Sequence, residues 1–136
     1  MLRFIEPAEI ADARVLLRKF ESIDYSSSNT EAHWRGLDDF KRGFDLLSST
    51  RWVGTQEFEL ASNIRASHIR LLLSKIGEVA TTASSSAFFS LLFANALISS
   101  EEREVVLSSN PNAAIQLEAF KELRRDELDQ LVRSIK

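Results

Sequence analysis

The sequence predicts an all-α fold, a bundle of five or six helices, on three observations. Glycine and proline are scarce, with four and two in 136 residues. Runs of β-branched residues are few. Apolar residues recur three or four positions apart, the spacing that gathers them on one side of a helix. A chain of this length with 44% hydrophobic residues can bury a substantial core, and it is read as one domain spanning 1–136.

The first helix is expected to start at Pro7, whose fixed φ suits a first helical position, and to show Ile10, Ala13, Leu17 and Phe20 on one face before ending near Asp24. Ser28 and Glu31 have the spacing of a capping box, in which hydroxyl and carboxylate each satisfy a free backbone N–H. The second helix follows, with Trp34, Leu37, Phe40, Phe44 and Leu47 on its apolar side and Asp38, Asp39, Lys41, Arg42 and Asp45 opposite. Gly36 and Gly43 interrupt it, each costing about 1 kcal/mol relative to alanine, which close approach of a neighbouring helix would explain.

Ser48 to Thr50 break the pattern, and Trp52-Val53-Gly54 form a short connection to Thr55, a suitable N-cap. Thr55 to Ile76 is helix-forming throughout, as one helix or two, with Gly77 a C-cap or bend. The stretch from about Ala87 to Ile98 is apolar nearly all round, which marks it as the central helix that the others wrap. Ser99 or Ser100 can cap a short acidic helix reaching Leu107, and Ser108 to Asn112 form a loop around Pro111. A last helix, about Ala113 to Ile135, carries Leu117, Phe120, Leu123, Leu128, Leu131 and Ile135 as an apolar stripe.

Composition narrows the function. No cysteine is present, which excludes disulfides, iron–sulfur clusters and thiolate zinc sites and suits a reducing, cytoplasmic compartment. Met1 to Pro7 lacks the apolar run of a secretion signal, and the chain is read as complete. The longest apolar stretch is about twelve residues against the roughly twenty of a membrane span, so no membrane role is expected. Seventeen basic against twenty acidic residues argue against a nucleic-acid coat. Only residues 51–100, with three acids and four bases, are net positive.

No phosphate-binding glycine loop, nucleophile motif or convergent set of metal ligands is visible, so the chain is read as non-enzymatic, with no cofactor and no metal. Asp38 and Asp39 are adjacent and point apart on a helix, while Glu101, Glu102 and Glu104 suit a helix start through the dipole. His33, beside Trp34, is expected at the surface or half-buried. The expected function is protein–protein interaction, as a small adaptor, complex subunit or inhibitor that self-associates as a homodimer or binds another protein. Arg124, Leu128, Leu131, Val132 and Ile135 on the terminal helix are its candidate partner-binding residues: a mixed-sign face such as the one holding Arg124 is usually just solvated, but the four apolar side chains would exceed what a small bundle can cover.

The alternative is a DNA-binding regulator. Read as a helix-turn-helix, Thr55 to Gly77 would place Ile64 at the end of a first helix, Arg65-Ala66 in the turn and Ser67 at the cap of a recognition helix. Ser67, His68, Arg70 and Lys75 would then meet phosphates or base edges. The spacing is similar to that of many bacterial and phage regulators. Two features depart from that pattern: Arg65 stands where the turn usually has glycine, and the second half is richer in leucine than in polar readers.

Overall fold

A computed structural model of the chain describes residues 7–47, 55–79, 84–123 and 125–135; the side chains at 55, 126–128 and 131 lie outside the description. The described residues form seven α-helices and no strand: α1 (Ala8–Glu21), α2 (Thr30–Leu46), α3 (Thr55–Glu78), α4 (Ser85–Ala96), α5 (Ser100–Ser108), α6 (Pro111–Leu123) and α7 (Arg125–Ile135). The all-α bundle expected from the sequence is the observed architecture. The expected connection over 48–54 lies outside the described residues.

Local chemistry fixes the helix starts. The Pro7 carbonyl accepts the Ile10 and Ala11 N–H groups, so proline caps α1 from one position outside it. At α2 the cap is Asn29, whose side chain accepts from the Ala32 N–H at 3.1 Å. The expected Ser28–Glu31 box is thus displaced by one residue, since asparagine caps as well as serine. Ser84 and Ser99 cap α4 and α5 in the same way, accepting from Ala87 and Glu102.

α1 and α2 pack side by side, and α2 lies along α4. α3 touches α1, α2, α4, α5 and α6 and is the helix the others share. The main core gathers Phe20, Tyr25, Phe40, Phe44, Leu72, Ile76, Phe88, Leu91, Leu117 and Phe120, and a smaller cluster joins Ile10, Ala13 and Leu47 to Ala61 and Ile64. Burying a large apolar side chain contributes about 1.5–3 kcal/mol, so these rings and branches dominate the packing.

Two differences from the sequence expectation concern α2 and α4. The buried side of α2 is His33, Gly36, Asp39, Phe40, Gly43 and Phe44, leaving Trp34 39% exposed. The helix turns its glycines inward because neighbours occupy their space: a Cβ on Gly43 would lie 2.8 Å from His68 Nε2 and 3.3 Å from Leu16 Cβ. A Cβ on Gly36 would collide with the Tyr25 hydroxyl. The close approach of neighbouring helices expected at both positions is present at Gly43, against α1 and α3, whereas at Gly36 the neighbours are Ile23 and Tyr25 of the connection between α1 and α2.

The second difference concerns α4. Ala87, Phe88, Leu91 and Ala94 enter the core, but Phe93 and Leu97 are 45% and 40% exposed. The helix contributes to the core from one side and is open on the other. The last expected helix, about Ala113 to Ile135, is helical over Pro111–Leu123 and Arg125–Ile135, with residue 124 outside the described residues.

Candidate interaction surface

The outer side of α4 is built by helical spacing alone. Ser85, Phe89, Leu92, Phe93, Ala96 and Leu97 fall on it, while Ala87, Phe88, Leu91 and Ala94 fall on the inner side. Ser85, Phe93, Ala96 and Leu97 are exposed; Phe89 and Leu92 are partly buried against the core. The flanking helix α2 adds Trp34, whose ring centroid lies 6.1 Å from that of Phe93, and Phe93 lies 6.2 Å from Phe89. Three aromatic rings thus form a continuous band across the α2–α4 seam.

This band carries no charge of its own. Between Glu78 and Glu101 the sequence contains no Asp, Glu, Lys or Arg. At its upper end, where α4 begins, lies a shallow cavity of about 390 Å³ lined by Ser28, Thr30, Trp34, Ser84, Ser86 and Phe89, all uncharged. The hydroxyl of Ser86 is 2.7 Å from Nδ1 of His33, which stacks on Tyr25 with centroids 5.3 Å apart. His33 is fully buried, against the expectation of a surface or half-buried position. It sits on the glycine-bearing face of α2 and ties that helix to the start of α4.

A second groove, of about 420 Å³, runs between α3 and α5 and includes Phe58 and Val105, exposed at 49% and 73%. Phe58 faces this groove rather than the core. Its polar side is the Arg65–Glu102 pair: Nε and Nη2 of Arg65 donate to the two carboxylate oxygens at 2.9 and 2.8 Å. The guanidinium also lies 4.0 Å above the Phe44 ring. These hydrogen bonds from Arg65 hold the Glu102 carboxyl below the usual carboxylate range. The expected turn residue is therefore a strut between helices.

The helix-turn-helix expectation is corrected by this geometry. α3 runs unbroken from Thr55 to Glu78, through Arg65 and Ala66, so no turn separates two helices. His68 is fully buried; its Nδ1–H donates to the Ile64 carbonyl at 3.0 Å, and burial pushes its pKa below the ordinary value. Lys75 is 8% exposed and donates to the carbonyls of Glu21 and Ile23. Ser67 bonds back to Asn63, and only Arg70 of the four projects into solvent. Two of the four candidate readers are interior groups.

Of the expected partner-binding residues, Arg124 and the side chains of Leu128 and Leu131 lie outside the described residues. Val132 and Ile135 are 51% and 77% exposed on α7. The open outer side of α4 is hidden in the sequence because a helix that is apolar nearly all round has the pattern of one sheathed by its neighbours. The signal was present in the twenty-two uncharged positions between Glu78 and Glu101, combined with a helix too apolar for one-sided packing.

Among the described residues no three His, Asp or Glu side chains converge as a metal site, and no helix is long and apolar enough to cross a membrane. No family model matches the chain, and no curated protein or solved structure matches it significantly.

Proposed function

We propose that this chain is a non-enzymatic protein–protein interaction module of the cytoplasm, and that its docking surface is the outer side of α4 with Trp34. The observation that carries this reading is the uncharged apolar band of Trp34, Phe93 and Leu97, open to solvent, with Phe89 partly buried behind them. Exposed aromatic side chains on rigid helices are the usual anchors of a binding surface. An uncharged patch of this kind favours a partner that covers it. The cysteine-free composition fits a reducing compartment. Val132 and Ile135 on α7 form a second apolar surface for the same role.

The test compares what the chain holds in the cell. Tagged wild type, Phe93→Glu and Ile135→Glu are cross-linked in the cells that express the chain naturally, recovered under denaturing conditions and sized. Adducts present with wild type and Ile135→Glu but missing with Phe93→Glu support the α4 surface. Loss with Ile135→Glu alone moves the surface to α7. The same free chain in all three contradicts the interaction reading.

A further inference from the structure

Asp39 of α2 is a charged residue only 6% exposed. It lines a cavity of about 670 Å³ bounded by the end of α1, the connection after it and α2. Helical spacing sets Arg35 four positions before Asp39 and Arg42 three after it, within reach of a pair. Yet among the described residues Asp39 accepts no hydrogen bond and joins no ion pair. A carboxylate drawn out of water without a donor is costly, so it is poised to receive one from solution.

Other charges of the rim are already engaged. Arg42 meets Asp38 at 3.6 Å, and Asp24 accepts from the N–H and the hydroxyl of Ser26. Three charged side chains of the cavity are left without an ion pair among the described residues: Lys19 from α1, and Arg35 and Asp39 from α2. Burial raises the Asp39 pKa, and the Lys19 charge is the largest influence against it. Two cations and one anion therefore border the same space.

From this set we propose that the cavity binds an acidic α-amino acid, aspartate or glutamate, with its ammonium on Asp39 and its two carboxylates on Lys19 and Arg35. The site is independent of the α4 surface.

Charge matching selects this class. A plain dicarboxylate would satisfy the two cations but press against Asp39, and a simple cation would satisfy Asp39 but meet Lys19 and Arg35. An amino acid with a neutral side chain leaves one cation unmatched. A ligand with two negative groups and one positive group answers all three. Spacing agrees, since Arg35 and Asp39 lie one turn apart, about 6 Å along the axis. An ammonium and a carboxylate carried on one carbon span that distance with their own hydrogen bonds. The Arg35 fork can hold a carboxylate by two parallel N–H bonds, and the cavity has the size of a small-molecule site.

The test is thermal unfolding and calorimetric titration of the full-length protein with L-glutamate and L-aspartate at millimolar concentration. Glutamine, which lacks the second carboxylate, and glutarate, which lacks the ammonium, are the comparison probes. The expected result is a saturable heat and a Tm raised by a few degrees with at least one of the two acidic amino acids. Both comparison probes should bind more weakly by about tenfold or more. Asp39→Asn and Arg35→Gln should each lose the response, while Lys41→Gln, exposed on α2 outside the cavity, keeps it.

Asp39→Asn removes a nearly buried charge that has no donor, so the unliganded variant should melt at or above the wild-type Tm, which separates lost binding from lost folding. Should that variant fail to fold, Arg35→Gln, at an exposed position, decides alone. No heat and no shift with either acidic amino acid overturns the proposal. So does glutarate bound as tightly as glutamate, which would leave an anion site of Lys19 and Arg35, or a response that survives either substitution.

Discussion

Lys75 of α3 ends against the C-terminus of α1, its Nζ donating to the Glu21 carbonyl at 2.7 Å and to the Ile23 carbonyl at 2.8 Å. A helix leaves its last carbonyls without intrahelical partners and carries partial negative charge there. The ammonium answers both needs inside the core. Lys75→Met keeps the aliphatic stem but leaves the carbonyls unpaired, and it is expected to destabilise the protein by about 2–3 kcal/mol in urea unfolding. Arg70→Ala, on the exposed side of the same helix, is expected to stay within about 0.5 kcal/mol of wild type. Equal, small effects from both would remove the anchoring role assigned to Lys75.

The buried histidine of α3 makes stability depend on pH. Burial lowers the His68 pKa in the folded protein, with the nearby Arg65 charge acting in the same direction. The unfolded chain therefore binds a proton more readily than the folded one, and stability falls as pH drops below the ordinary histidine value of about 6.5. Unfolding midpoints in urea are expected to decline between about pH 7 and pH 5. His68→Leu should flatten that decline. An unchanged slope in the variant would mean that another group sets it.

Arg65 and Glu102 act at lower pH. The hydrogen bonds from Arg65 lower the Glu102 pKa, so their contribution is present above the ordinary carboxylate range and fades as pH falls through it to the lowered folded value. The two side chains remain 21% and 33% exposed, so solvent screening limits the pair. Glu102→Gln is expected to cost about 1 kcal/mol at neutral pH and nothing measurable once the carboxyl is protonated. A penalty that persists in acid would point to packing rather than charge.

Two glycines should respond to alanine with opposite sign. Gly43 faces His68 Nε2 and Leu16 Cβ, both held in the core, so a methyl group forces helices apart. Gly43→Ala should destabilise by about 1–2 kcal/mol, after allowing for the better helix propensity of alanine. At Gly77 the obstacle is the end of the Gln116 side chain, which is exposed and can swing away. Gly77→Ala should be neutral or stabilising by up to about 1 kcal/mol. Destabilisation of equal size at both sites would contradict this account of the packing.

The helical class and most helix limits were legible because they depend on local patterns: Pro7 before α1, Ser99 before α5, and the three-to-four spacing of Phe40, Phe44 and Leu47. The inward turn of α2 was not, since its cause lies in residues far along the chain, His68 and Leu16, which occupy the space that Gly43 leaves. Lys75 and His33 read as surface groups because burial of a polar side chain depends on partners that tertiary structure supplies, here the Glu21 carbonyl and the Ser86 hydroxyl. The open side of α4 was hidden for the converse reason. A side chain such as Phe93 looks like core in sequence whether or not a neighbour covers it, and in the structure it is 45% exposed beside Trp34 and Phe89.

The docking role of α4 is tested most directly by cross-linking wild type, Phe93→Glu and Ile135→Glu in the cells that express the chain and comparing the sizes of the recovered species. Adducts are expected with wild type and Ile135→Glu and not with Phe93→Glu, which stays folded. Adducts that survive Phe93→Glu and disappear with Ile135→Glu would contradict the account and place the contact on α7.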